Sequence, residues 1–391
     1  MAIGQYFPYI NLKNHDVYFL ETAVLVFLGA FLLTYLTIPK IIGVVQYKKL
    51  MDNPNDRSSH KTVTPTLGGI AFFYCLIFTI FFLKDRDLHN EAIYLIPSLT
   101  ILLMVGLKDD LVVLSPLTKL IAQIIAVSFV LASDSFIIHS LNGFLNIYEI
   151  PYFLYLLIGG FLMITIINSY NLIDGIDGLA AMVGIVILML YTTIFYMSHE
   201  YFYSLLCIAL NACLMAFLGY NLSSTNKIFM GDTGSLIVGF MISMFTLKFL
   251  ALKPTAYSEL PFLLENAPLI AVGILIVPLF DTARIFTLRI VNKKGPFSPD
   301  RHHTHHILVD FLNLSHKQAS FIIAGFNFVF VVLLIVLGGI TTNLWMIISL
   351  VVVCIGLVYL FYKLDYSFSN IKRKLFVKRK VEDIKNKIHR K

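Results

Sequence analysis

The amino-acid sequence predicts an all-α integral membrane protein, a polytopic bundle of about eleven transmembrane helices. Of its 391 residues, 58% are hydrophobic and only 14% are charged, and the mean hydropathy is +0.81. Apolar runs of roughly 18 residues, long enough to cross the hydrocarbon core as helices, recur along the whole chain. A soluble domain of this length would need a more polar surface, so the composition excludes the soluble class.

Eleven apolar segments justify the helices in chain order. The segments are 18–38, 67–83, 92–107, 117–133, 152–167, 179–197, 202–219, 235–251, 267–288, 319–339 and 344–362. Between the fourth and the fifth segment, apolar residues alternate with turn residues over 136–149, which predicts a small hairpin.

Lys and Arg residues predict the orientation, because cytoplasmic loops carry an excess of both. With the N-terminus outside, the cytoplasmic connections and the C-terminal tail hold 25 of the 30 basic residues. This bias accounts for the net charge of +7, so nucleic acid is not an expected partner. The sequence thus predicts a transmembrane domain over 1–362 and a basic cytoplasmic tail over 363–391.

The polar motifs all fall in cytoplasmic connections of this topology, and the outer loops hold nothing comparable. We therefore expect one composite site at the cytoplasmic surface of the membrane. The connections that would build it are 40–66, 107–119, 168–178, 220–235 and 289–318.

Two adjacent aspartates could hold a metal ion, and a third lies in a motif that suits a phosphate. Asp109 and Asp110 are adjacent where the third segment leaves the membrane, and paired carboxylates suit Mg²⁺, which keeps ligand positions for substrate phosphates. Asp232 lies in KIFMGDTGSL, just before the next segment, where a helix N-terminus offers N–H groups to a phosphate. Solvated loop acids and a plain helix cap are the alternatives.

The stretch NSYNLIDGIDG places polar side chains between two apolar segments. Asn168, Asn171, Asp174 and Asp177 recur every three residues, so they share one helical face if the helix extends that far. Charges near bilayer depth are costly unless they line a wet cavity or bind a ligand. This stretch is therefore a candidate functional site.

A histidine-rich string, PDRHHTHHIL, follows the ninth segment. Its spacing can bind zinc, but no Cys lies nearby, and imidazoles beside an Arg suit hydrogen bonds to a diphosphate better. The candidate residues are Arg301, His302, His303, His305 and His306.

Two other charged sets accompany these motifs. Arg57 and His60 could receive an anionic lipid head group or a nucleotide phosphate, although the positive-inside bias also accounts for cations there. Asp281 and Arg284 are three residues apart inside an apolar segment, and we expect a structural ion pair between them.

Taken together, the motifs resemble those of the polyprenyl-phosphate N-acetylhexosamine-1-phosphate transferases, within the glycosyltransferase 4 or MraY-like superfamily. The resemblance runs from about Asp52 to His306, and the form of the His motif is similar to that of the WecA/TagO branch. Lys108 and Thr304 stand where the family usually has an apolar residue. The motifs, in order, are DxPxxRxxH, TPxxGG, GxxDD, NxxNxIDGxDGLA, FMGDTGS and PDRxHxHH.

This resemblance implies transfer of N-acetylglucosamine-1-phosphate from UDP-N-acetylglucosamine to undecaprenyl or another polyprenyl phosphate, with release of UMP. That reaction starts cell-envelope glycan synthesis at the bacterial plasma membrane. The implied cofactor is Mg²⁺, with Mn²⁺ as a substitute. The resemblance also implies that membrane lipid surrounds the protein. A homodimer, and a one-step or a two-step mechanism, are left open.

The resemblance also assigns roles. Asp232 would be the principal Mg²⁺ ligand, with Asp109 and Asp110 completing its surroundings. The residues from Asn168 to Asp177 would recognise the nucleoside, and the Arg and His residues over 301–306 would hold the diphosphate or the sugar. The alternatives are transfer of phospho-N-acetylmuramoyl-pentapeptide, as in the MraY branch, and a membrane transporter.

Overall fold

The computed structural model describes residues 18–48, 51–52, 64–84, 90–291, 293 and 303–364. Two short strands, β1 (Met51–Asp52) and β2 (Thr64–Pro65), pair antiparallel. The helices are α1 (Phe19–Lys48), α2 (Gly69–Phe82), α3 (Ala92–Leu111), α4 (Pro116–Leu131), α5 (Tyr152–Ile173), α6 (Leu179–Met197), α7 (Tyr201–Asn221), α8 (Gly231–Leu250), α9 (Ala267–Ile274), α10 (Ile276–Val291), α11 (Thr304–Leu312), α12 (His316–Ile340) and α13 (Asn343–Leu364).

Apolar helices dominate the described part of the chain. In this part, eight helices are long and apolar enough to cross a membrane, and the count is nine when the bent pair α9–α10 is taken as one further span. Helices α2 and α4 are apolar but shorter, at 14 and 16 residues. Each predicted segment contains at least one apolar helix, so the all-α membrane class is confirmed. Eleven crossings and the orientation of the termini stay predictions.

Helix α8 lies at the centre of the bundle, where every residue from Thr233 to Phe249 is buried. Its N-terminus packs closely against two neighbouring helices. A Cβ added at Gly69 would lie 2.1 Å from the Gly234 nitrogen, and one added at Gly106 would lie 2.4 Å from the Thr233 Cα. In lipid, helices associate through such close backbone packing rather than through hydrophobic burial. The glycines of TPxxGG and GxxDD therefore hold the start of α8 in place.

The ninth predicted segment, 267–288, is broken rather than straight. Helices α9 and α10 meet at an angle of 67°. Pro278 has no N–H to donate to the carbonyl of Ile274, the last residue of α9, and its ring crowds that carbonyl. The bend carries α10 away from the direction of α9.

The hairpin predicted over 136–149 is wrong. Two 3₁₀ turns, Asp134–Phe136 and Phe144–Asn146, occupy this segment instead of paired strands. Asn142, Leu145 and Asn146 have positive φ angles of 54°, 52° and 62°, which breaks an extended chain. The loop is closed where the Ile150 N–H donates to the His139 carbonyl at 2.8 Å.

Candidate active site

Asp110 caps the N-terminus of α8 from the neighbouring helix α3. Its carboxylate accepts hydrogen bonds from the Asp232 N–H at 2.7 Å, the Thr233 N–H at 3.1 Å and the Thr233 hydroxyl at 2.6 Å. Gly231 has a φ of 72°, and a Cβ there would lie 2.6 Å from the Asp110 Oδ2, so this position requires glycine. A carboxylate is favourable at a helix N-terminus. The Asp110 carboxylate therefore fixes the position of Asp232 in the first turn of α8.

Asp109 and Asp232 share one cation, the ammonium group of Lys119. The Lys119 Nζ lies 2.5 Å from the Asp109 Oδ2 and 2.8 Å from the Asp232 Oδ2. The other oxygen of Asp232 accepts from the Asn171 side chain at 2.6 Å, and the Asp109 Oδ1 accepts from the Leu114 N–H at 2.7 Å. The two carboxylates are thus brought together across three helices and held in defined rotamers.

These two carboxylates fit the Mg²⁺ ion that the resemblance implies. Within the described ranges, no group of three or more His, Cys, Asp or Glu side chains forms a complete metal cage. Mg²⁺ does not require one, because it is commonly held by one or two carboxylates together with substrate phosphates and water. Asp109 and Asp232 already converge on a positive charge, whereas Asp110 directs both oxygens to α8.

The four polar residues over 168–177 do not share one helical face, so that prediction is wrong. Helix α5 ends at Ile173, and Gly178, with a φ of 80°, closes the turn immediately before α6. Asn168 and Asn171 therefore project from α5, whereas Asp174 and Asp177 lie in the turn. Asn168 pairs with the Gln123 amide, donating to its oxygen at 2.7 Å.

Asp177 holds this turn to two other segments. Its Oδ2 accepts from the Lys227 Nζ at 2.7 Å and lies 2.9 Å from the His316 Nδ1. The Ser320 hydroxyl donates to the Asp177 carbonyl at 2.8 Å. Burial raises the pKa of Asp177, but the hydrogen bonds from His316 and Lys227 outweigh it and lower that pKa overall. The ionised Asp177 therefore links the turn after α5 to the loop before α8 and to α12.

Asp174 has the opposite electrostatic environment. Burial, followed by the charges of Asp232, Asp110 and Asp177, raises the pKa of Asp174 to about 7. A carboxyl group with such a pKa can hold or release a proton near neutral pH, as acid–base groups in active sites do.

The histidine string begins helix α11, next to the turn. His303 precedes the helix, and its Nδ1 lies 2.7 Å from the Asp281 Oδ2. The Thr304 N–H donates to the other oxygen, Asp281 Oδ1, at 2.8 Å. Asp281 thus directs both oxygens to this string, and the expected ion pair with Arg284 is wrong.

His305 is 1% exposed, and neither ring nitrogen has a hydrogen-bond partner within the described residues. Burial, and then the charge of His306, lowers the pKa of His305 to about 3. A Cβ added at Gly175 would lie 2.3 Å from the His305 Nε2, so the ring packs directly on the turn after α5. The predicted residues Arg57, His60, Arg301 and His302 lie outside the described residues.

Comparison with known proteins shows which family has this site. Residues 92–250 match the family model described as glycosyl transferase family 4. The chain is also 31% identical, over 84% of its own length and 88% of the relative's, to the probable undecaprenyl-phosphate N-acetylglucosaminyl 1-phosphate transferase of Bacillus subtilis (strain 168). The chain belongs to glycosyl transferase family 4.

Two other relatives share a lower identity with the chain. The undecaprenyl-phosphate alpha-N-acetylglucosaminyl 1-phosphate transferase of Escherichia coli (strain K12) is 28% identical over 66% of this chain and 69% of that protein. The Salmonella typhi enzyme of the same name is 29% identical over the same shares. The range of the family model runs from α3 to α8, and so includes Asp109, Lys119 and Asp232.

Sequence reasoning missed several contributors to this family 4 site. It did not single out Lys119, Gln123, Lys227 or His316, although each contacts a predicted site residue. A Lys and a Gln in the first turns of the fourth apolar segment were the available signal, because polar side chains within such a segment call for a partner. Asp281 was noted but was assigned to the wrong partner.

Proposed function

We propose that the protein transfers N-acetylglucosamine-1-phosphate from UDP-N-acetylglucosamine to undecaprenyl phosphate, releasing UMP. The observation that carries this proposal is the convergence of Asp109, Lys119 and Asp232 within the family-matched range of a chain whose relatives are named for this transfer. In this reaction an oxygen of the lipid phosphate attacks the sugar-bearing phosphorus, and the bond from that phosphorus to UMP breaks.

The reaction calls for charge neutralisation around the diphosphate. Asp109 and Asp232 would hold Mg²⁺, which supplies Lewis-acid stabilisation of the phosphate oxygens when bound. Lys119 and Asn171 orient the Asp232 carboxylate, and Asp110 fixes the backbone beneath it. Asp174 can hold or release a proton beside this cluster near neutral pH.

An apolar cavity supports a lipid acceptor. A volume of about 360 Å³ lies between α10 and α13, beyond the bend after α9. Its lining includes the apolar side chains of Leu279, Phe280, Leu350 and Val358, and Arg284 supplies a charge. A polyprenyl phosphate has the same division, an apolar chain with one anionic end, so the cavity suits part of such a molecule.

The proposal includes the topology. The chain would cross the bacterial plasma membrane eleven times, with its N-terminus outside and its C-terminus in the cytoplasm. The concentration of Lys and Arg on one side supports this orientation. The carboxylate cluster would then face the cytoplasm, where UDP-N-acetylglucosamine is available.

UMP release by the purified protein in detergent tests the function. We expect release that requires UDP-N-acetylglucosamine, undecaprenyl phosphate and Mg²⁺ together, and that stops with a chelator. Asp232→Asn, which removes a carboxylate without adding charge, should abolish turnover while the protein stays folded. UMP only from the muramoyl-pentapeptide nucleotide would assign the chain to the MraY-type reaction. No UMP from any UDP-sugar would reopen the transporter alternative.

A further inference from the structure

The carboxylate of Asp281 has no role in the reaction outlined above, yet it is 1% exposed and fully engaged. One oxygen meets the His303 Nδ1 at 2.7 Å, and the other accepts from the Thr304 N–H at 2.8 Å. Both contacts join α10 to the start of α11, one through the residue before the helix and one through its first residue. Burying a carboxylate costs desolvation free energy unless hydrogen-bond donors compensate for the lost water. The His303 ring and the Thr304 N–H are those donors here.

The hydrogen bond to Asp281 requires a proton on the Nδ1 of His303. An ionised carboxylate only accepts, so the Nδ1 of the ring must be the donor in this pair. The Nε2 is then the nitrogen left to meet a ligand, and it donates when the ring is protonated. His303 itself is 7% exposed, and its ring stacks on that of His305 at 5.4 Å.

We propose that Asp281 is a positioning residue that fixes the His303 ring with Nδ1 as donor, so that Nε2–H of the charged ring meets the diphosphate of the nucleotide sugar. This inference rests on the proposed function for the identity of the ligand. The packing of His305 on Gly175 places the string beside the turn that carries Asp174, which is the side expected to receive the nucleotide.

The variant Asp281→Asn separates positioning from anchoring. Its amide keeps an oxygen for the Thr304 N–H but presents an NH₂ group to His303, so the ring Nδ1 must become the acceptor. The anchor is kept, and the ring loses its Nδ1 proton while Nε2 still carries one, so the donor to the ligand becomes neutral. We expect kcat/KM for UDP-N-acetylglucosamine to fall about 10-fold or more, because a charge-assisted hydrogen bond is about twice as strong as a neutral one.

Four further variants complete the test. His303→Gln should be impaired to a similar degree, and D281N combined with H303Q should be no worse than H303Q alone, as expected for residues that act as one unit. Asp310→Asn, an exposed acid on α11, is the matched control and should keep wild-type turnover. Wild-type turnover in D281N alongside loss in Asp281→Ala would show an anchor only and overturn the proposal.

A readout independent of turnover is the nitrogen spectrum of isotope-labelled histidine, with the His303 signal assigned by its loss in H303Q. The proposal requires a protonated Nδ1 in the wild-type protein and an unprotonated Nδ1 in D281N. If the wild-type protein released no UMP, the proposed function would fail while this spectrum would still decide the Asp281–His303 pair. If the His303 Nδ1 signal were the same in D281N as in the wild-type protein, the positioning role of Asp281 would be overturned.

Discussion

Asp109 and Asp110 are neighbours in the chain, but the fold gives their carboxylates different partners. Asp109 meets the Lys119 ammonium beside Asp232, whereas Asp110 accepts three hydrogen bonds from the first turn of α8. One side chain is therefore directed to the shared cation and the other to the backbone. Adjacent residues on a helix point about 100° apart, so a pair can serve two neighbours at once.

Conservative substitutions should separate these two roles. Asp110→Asn replaces an acceptor oxygen with an NH₂ group that faces backbone N–H donors, so we expect the free energy of unfolding to fall by about 1–2 kcal/mol, as for a lost helix cap. Asp109→Asn should abolish turnover with little loss of stability. Thermal unfolding and UMP release measured on both variants check this, and a D110N protein as stable as the wild type would contradict the capping role.

The raised pKa of Asp174 makes stability depend on pH. With a pKa of about 7 in the folded protein and 3.8 as the reference value, the folded state holds the proton more tightly. The contribution of Asp174 is therefore fully present below about pH 4 and is lost as the pH rises towards 7. Relative to Asp174→Asn, which cannot ionise, the unfolding temperature of the wild type should fall over this range. Parallel curves for the two proteins would contradict the assignment.

At the scale of elements, composition predicted the helices well and their ends less well. The eleven apolar segments carry their own signal, because each must satisfy its backbone internally in lipid. The break before Ile276 depends on a single residue, Pro278, and the spacing of three over 168–177 continues past the end of α5 at Ile173. Contacts between elements left no periodic signal: Lys119 lies 113 residues from Asp232, and Asp281 lies 22 residues from His303.

The packing of α11 on the turn after α5 yields a prediction at this scale. Gly175→Ala places a methyl group where the His305 ring now lies, 2.3 Å from its Nε2. His305 is buried, so its ring has little room to turn away, and we expect a destabilisation of about 1–3 kcal/mol together with reduced turnover.

The matched control is Gly219→Ala in α7, where an added Cβ meets nothing within 4 Å. This variant should be neutral or slightly stabilising, because alanine favours a helix over glycine. Unfolding temperature and UMP release measured on both variants decide the matter. Equal behaviour of G175A and G219A would show that α11 does not depend on close contact with the turn.

At the scale of the whole molecule, α8 joins the two ends of the bundle. Its N-terminus carries Asp232 in the carboxylate cluster, and its last turn carries Lys248, which pairs with Glu200 at 3.0 Å. Because α8 is buried from Thr233 to Phe249, substrate cannot reach Asp232 along it from the opposite end. The orientation of the bundle therefore decides which compartment supplies the nucleotide sugar.

Single cysteines at the two ends test that orientation. Asn226, in the exposed loop before α8, and Thr255, in the exposed segment after it, lie at opposite ends of this helix. Because Lys and Arg concentrate on the side of Asn226, we expect a membrane-impermeant thiol reagent to label Thr255→Cys in intact cells, and Asn226→Cys only after permeabilisation. The unsubstituted chain, whose cysteines lie within helices, gives the background. Labelling of Asn226→Cys in intact cells would show the opposite orientation of the bundle. The carboxylate cluster would then lie outside the cell, without access to a cytoplasmic nucleotide.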